Sequence, residues 1–183
     1  MNNLQKQYKE KIVPALMEKF GYKNYLQVPT INKVVLNVGI GSGLKDKGYL
    51  ELVKKNLQNI SGQKSVETLS RKSISNFKVR EGMVVGVKVT LRGVRMWDFL
   101  ERLIKVTLPR IRDFRGISPE AFDRRGSYSL GFKDNTAFPE IEGEELEKTH
   151  GLEVTITTTA KNKKEGLELL TEMGFPFRKE EIK

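Results

Sequence analysis

Met83-Val84-Val85-Gly86-Val87-Lys88-Val89-Thr90-Leu91-Arg92 alternates apolar and polar side chains along its second half. A period of two is the pattern of a strand with one buried face, because successive Cβ atoms point to opposite sides of a sheet. Val87, Val89 and Leu91 then face a core. Lys88, Thr90 and Arg92 stand on the other face, about 6.6 Å apart. Upstream lies Arg71-Lys72-Ser73-Ile74-Ser75-Asn76-Phe77-Lys78-Val79-Arg80, with four positive charges, no acid and one aromatic ring, joined to the strand by Glu81-Gly82. A basic loop with a ring, beside a strand bearing Lys, Thr and Arg, suits structured RNA. Cations neutralise phosphates, the ring can stack, and short polar groups reach sugar hydroxyls and base edges. The alternative is a mobile surface loop whose charges serve only solubility.

The wider composition agrees with a polyanionic partner. The 183 residues carry a formal net charge of +10 and a pI near 9.7. Ten Lys or Arg stand against two acids between Lys54 and Arg95, which concentrates the charge on one face or loop. A hydrophobic fraction of 38% supports a real core, so this is no disordered basic tail. Without cysteine there is no disulfide or thiol chemistry. No apolar run approaches the ~20 residues of a membrane span, and the polar start from Met1 to Lys11 is unlike a secretory signal. The expectation is a cytoplasmic protein with no membrane contact.

Outward from the strand, helical stripes recur. Asn3 to Phe20 places Leu4, Tyr8, Ile12, Ala15 and Leu16 along one side, with Pro14 as a kink or break and Gly21 as the end. Thr30 to Val38 reads as a strand, with Asn37 opposite in parity to Val34, Leu36 and Val38. Asp46 is placed to cap a helix carrying Leu50, Val53, Leu57 and Ile60, stopped near Gly62. Trp97 to Leu108 is a second amphipathic helix, limited by Pro109. Leu152 to Ala160 is a Thr-rich strand, and Asn162 with Glu165 has capping-box spacing at the start of a last helix.

This order predicts an α+β fold: a mostly antiparallel sheet with helices packed on one face, an open polar sheet face and a long basic loop. Residues 1–183 are read as a single domain, with 71–82 a protruding basic loop and 110–150 an irregular interface region. The open face would carry Asn37, Lys88, Thr90, Arg92, Thr155, Thr157 and Thr159. A merely solvated sheet face is the common alternative.

Other motifs carry little chemistry. Gly39, Gly41 and Gly43 follow a strand, but Leu44 stands where a dinucleotide fingerprint needs Gly, and no Gly-Lys-Ser/Thr follows. A turn passing close to other backbone is the better reading. His150 is the only histidine and reads as a surface or loop residue. With no Cys it builds neither a zinc site nor a triad. Glu140, Glu142, Glu144, Glu145 and Glu147 could be imagined on magnesium, but read as a solvated loop or a patch for a basic protein. No converging acid, base and nucleophile is visible, so catalysis, a metal and a cofactor are not expected. Phe77 either anchors its loop to the core or stacks on RNA. Trp97, on an apolar stripe, belongs to the core.

Eight collinear stretches then point to one family. They are Val34-Val35-Leu36-Asn37-Val38-Gly39-Ile40-Gly41, Ile60-Ser61-Gly62-Gln63-Lys64, Arg71-Lys72-Ser73, Phe77-Lys78-Val79-Arg80-Glu81-Gly82, Lys88-Val89-Thr90-Leu91-Arg92-Gly93, Pro109-Arg110-Ile111-Arg112-Asp113-Phe114-Arg115-Gly116, Phe138-Pro139-Glu140-Ile141 and Thr157-Thr158-Thr159-Ala160. Over nearly its whole length the chain resembles the bacterial large-subunit ribosomal protein L5 family. The resemblance implies a structural constituent of the large subunit that binds 5S rRNA in the central protuberance. It implies that Asn37, Gln63 and Thr90 contact 5S rRNA. Lys88 and Arg92 join them by strand parity.

The loop would contact P-site tRNA through Arg71, Lys72, Ser73, Phe77, Lys78 and Arg80. Large-subunit rRNA and other 5S-binding ribosomal proteins are further implied partners. A basic small-subunit protein would meet the region after Pro109 in an intersubunit bridge. Asn76 and Arg124 stand where the family often has Gly, His150 where Arg is common, and the acidic stretch after Ile141 differs in detail. The rival function is a free RNA chaperone that uses the same basic face away from the ribosome. An RNA-modifying or cleaving enzyme lacks visible chemistry.

Overall fold

A computed structural model of the chain describes residues 3–41, 46–141 and 149–178. Five strands form one sheet in the order β2-β3-β1-β5-β4. They are β1 (Ile31–Gly39), β2 (Val66–Leu69), β3 (Val84–Leu91), β4 (Tyr128–Phe132) and β5 (Leu152–Thr158). The helices are α1 (Asn3–Gln7), α2 (Val13–Phe20), α3 (Lys47–Ser61), α4 (Gly93–Arg102) and α5 (Lys163–Glu172). The fold is α+β with an open antiparallel sheet, as the alternation on β3 predicts. Residues gather into two compact units: 1–34, 92–130 and 155–183 in one, 35–91 and 131–154 in the other.

In the second unit, α3 packs against β3. Val53, Leu57 and Ile60 are fully buried, each contributing about 1.5–3 kcal/mol through area removed from water. Asp46 accepts from the Gly48 and Tyr49 amides at the start of α3, and Gly62 closes it with φ +65°. The left-handed cap satisfies late carbonyls at little cost because Gly lacks a Cβ.

In the first unit, Trp97 is buried on α4 with its ring 5.4 Å from that of Tyr8. Both long helices change pitch beside a proline. A π turn, Tyr8–Ile12, precedes Pro14, and another, Leu103–Thr107, precedes Pro109. A proline ring collides with the carbonyl four residues back, and the wider turn relieves that collision without ending the helix. The helix expected from Trp97 begins at Gly93. Asn162 Oδ1 accepts from the Glu165 amide and Glu165 Oε2 from the Lys161 amide, so the expected capping interaction forms.

Two features depart from the sequence reading. The segment from Ser65 to Leu69 shows no period of its own, yet Val66–Leu69 pairs antiparallel with β3, with Val66 opposite Lys88 and Thr68 opposite Gly86. Residues 110–150 hold β4 and a set of buried rings, including Phe122, Tyr128, Phe132 and Phe138. Of the acidic stretch, Glu142, Glu144, Glu145 and Glu147 lie outside the described residues.

Candidate nucleic-acid interface

Along β3 the inward set Val87, Val89 and Leu91 is buried, while Lys88 is exposed and Thr90 half-buried. On neighbouring β1, Leu36 and Val38 are buried and Asn37 is exposed. The Ile40 amide donates to the Val85 carbonyl at 3.1 Å and holds the two strands together. Gln63 sits in the turn after α3, half-buried, with Nε2 donating to the Thr90 carbonyl at 3.2 Å. One amide thus ties the α3 turn to the strand that presents the Thr90 side chain. Asn37, Gln63, Lys88 and Thr90 all belong to the second unit.

Arg92 belongs to the first unit. It follows the last residue of β3 and occupies the N-cap position of α4, exposed. Its Nη1 donates to Asn32 Oδ1 at 3.3 Å, which steers the guanidinium without removing its charge. On β5, Thr155 and Thr157 are half-buried, and Thr155 Oγ1 lies 3.1 Å from Ser129 Oγ on β4. Thr158 is buried, with its hydroxyl donating to the Gly126 carbonyl at 2.9 Å.

The basic loop is the end of the β2–β3 hairpin, and hydrogen bonds organise it. The Ser70 amide donates to the Met83 carbonyl and the Gly82 amide to the Ser70 carbonyl. Further out, Ile74 and Val79 form a two-bond antiparallel bridge, and the Glu81 amide donates to Ser73 Oγ. Ser75–Phe77 is a 3-10 turn closed by Lys78, whose φ is +54°. Arg71, Lys72, Lys78 and Arg80 are all exposed, and Phe77 is 71% exposed. The ring therefore does not anchor the loop to a core. A ring held outward among four cations is placed for stacking.

His150 corrects half of the sequence reading. Expected as a surface or loop residue, it lies in the loop just before β5 but is buried there, only 4% exposed. Its Nε2 lies 3.2 Å from Asn56 Nδ2 and its Nδ1 3.3 Å from the Gly151 carbonyl. These two contacts suit a neutral imidazole whose Nδ1–H donates to the carbonyl and whose Nε2 accepts from the Asn56 amide. Burial lowers the His150 pKa below 6.5, opposed in part by the Gly151 bond, which raises it. Because the folded state binds its proton less readily than the unfolded chain, it stabilises the fold fully above pH 6.5. That contribution is lost as pH falls through the lowered value. Urea titrations should show the midpoint falling between pH 7 and pH 5 in the parent and less so in His150→Gln. Equal pH dependence in both proteins would remove His150 as the cause.

Among the described residues, no group of three or more His, Cys, Asp or Glu is arranged to hold a metal ion. No described helix is long and apolar enough to cross a membrane. Residues 24–80 match the ribosomal protein L5 family, and residues 84–177 match the C-terminus of that ribosomal protein family. The chain belongs to the ribosomal protein L5 family. It is 52% identical to the large ribosomal subunit protein uL5 of Colwellia psychrerythraea, over 98% of this chain and 99% of that protein. Identity to the protein of the same name from Syntrophomonas wolfei is 55%, over 97% of this chain and 100% of the relative. For the Halothermothrix orenii protein it is 52%, over 97% and 99%. Family membership makes the chain a structural, non-enzymatic, RNA-associated protein of the cytoplasmic ribosome.

Proposed function

We propose that this chain, as a constituent of the large ribosomal subunit, binds 5S rRNA through Asn37, Gln63, Lys88, Thr90 and Arg92. The observation that carries the reading is the burial alternation on β1 and β3, which leaves an amide, an ammonium and a hydroxyl directed away from the core. Ammonium and guanidinium groups neutralise phosphates, while Asn, Gln and Thr reach 2′-hydroxyls and base edges. The hairpin end, with Arg71, Lys72, Ser73, Phe77, Lys78 and Arg80, contacts P-site tRNA. Residues 110–150 take part in an intersubunit bridge to a basic small-subunit protein. Other 5S-binding ribosomal proteins and large-subunit rRNA adjoin it. Residues 1–183 act there as one functional domain.

Filter binding to a purified 5S rRNA transcript tests the division of labour. Asn37→Ala and Thr90→Ala should each weaken binding by about 1–3 kcal/mol, the cost of one lost polar contact at a desolvated interface. Loop variants at Arg71, Lys72, Lys78 and Arg80 should leave 5S affinity near the parent value. Unchanged affinity in both sheet variants removes that face from the site. A large loss in the loop variants shows that the two sites are divided wrongly.

A further inference from the structure

The edge strand β2, which the sequence does not announce, widens the candidate interface. In an antiparallel ladder, residues directly opposite each other project on the same side. Val66 is opposite Lys88 and Thr68 is opposite Gly86, so both β2 side chains share a side with Lys88 and Thr90. Glu67 takes the other side. It is opposite Val87, and its Oε1 lies 2.5 Å from Lys54 Nζ on α3. The two sides of β2 are thus assigned by independent contacts.

Val66 is 60% exposed, so its methyl pair is open to a partner on this side of the strand. Thr68 is placed by a gap in β3. A Cβ at Gly86 would lie 2.9 Å from Thr68 Oγ1 and 2.9 Å from the Val38 carbonyl oxygen. Only glycine lets the Thr68 hydroxyl lie across β3 at this point. β2 is the sheet's edge strand, so these two residues form the border of the polar face.

We propose that Val66 and Thr68 are RNA-contacting residues of the 5S face, with Val66 packing against ribose and Thr68 hydrogen-bonding a 2′-hydroxyl or base edge. The inference rests on the RNA-face reading of Lys88 and Thr90 and extends it by one strand. Chemistry favours a ribose surface over bare phosphate here. A methyl pair gains by covering the apolar edge of a sugar, while the adjacent Lys88 ammonium takes the phosphate that follows it. The wide, shallow minor groove of an RNA helix presents riboses and 2′-hydroxyls side by side, which matches an apolar group, a hydroxyl and a cation within two strands.

Binding of the full chain to a 5S rRNA transcript, measured beside thermal melts, tests this. Val66→Glu sets an acid beside Lys88 and against the backbone, and should weaken binding at least about tenfold. Val66→Ser removes only the apolar contact and Thr68→Val only the hydroxyl, each costing about threefold. Glu67→Gln, on the α3 side, should bind like the parent. All four should melt with the parent. If the Val66 and Thr68 variants bind like the parent while Thr90→Ala is weakened, the β2 assignment is overturned and the RNA face stands. If Thr90→Ala also binds like the parent, both fall together.

Discussion

Gly166→Ala is expected to destabilise the protein by about 2–3 kcal/mol, roughly 4–12 °C in melting temperature for a chain of this size. The sign opposes helix propensity. Gly166 lies inside α5, where alanine would ordinarily gain about 1 kcal/mol. A Cβ there would overlap the Gly126 carbonyl oxygen and sit 2.6 Å from the Gly126 Cα, inside any van der Waals limit. The opposing backbone has little room to retreat. The Gly126 carbonyl accepts the buried Thr158 hydroxyl at 2.9 Å, and the Gly126 amide donates to the Asp123 carbonyl at 3.2 Å. Gly126 itself has φ +75°, with Asn162 O and the Ala160 Cβ where its own side chain would be. Two glycines thus let a turn touch a helix backbone to backbone. Thermal melts followed by circular dichroism decide the matter. A Gly166→Ala protein melting at or above the parent means that the turn yields freely and the contact constrains nothing.

Lys88→Glu should weaken 5S rRNA binding by about ten- to a hundredfold at moderate salt without altering the melting temperature. Lys88 is exposed on β3, so neither packing nor a buried hydrogen bond is lost. The change removes one phosphate-neutralising charge and adds repulsion at the same point. The dependence of log affinity on log salt should also flatten by about one unit, the signature of one released counterion. Salt titrations of parent and variant read both quantities. Affinity within twofold of the parent, with an unchanged slope, would show that the RNA does not approach this strand.

The contrast between these two variants follows what was legible in the chain. The Lys88 prediction rests on period-two alternation in residues 87–91, a local pattern that the sheet preserves. The stripes Val53, Leu57, Ile60 and Trp97, Leu100, Leu103 survive for the same reason, since each helix buries one side. The Asn162–Glu165 cap also survives, because both partners lie within one turn. In each case the partners are close along the chain, or a single face must leave water.

His150, Val66 and Gly166 depend instead on residues far away in sequence. The burial of His150 depends on Asn56, 94 residues earlier, and nothing around Thr149-His150-Gly151 announces it. Val66-Glu67-Thr68-Leu69 is too short to display alternation, and it becomes a strand because β3 offers a ladder to pair with. Phe77 could have turned inward or outward, and the Ile74–Val79 bridge with its 3-10 turn accompanies the outward position. Local propensity and hydrophobic period therefore set the α+β class, most of the helices and the polar parity of β1 and β3. The edge strand, the neutral histidine and the glycine contact were decided only on folding, because each depends on a partner that chain order alone does not bring near.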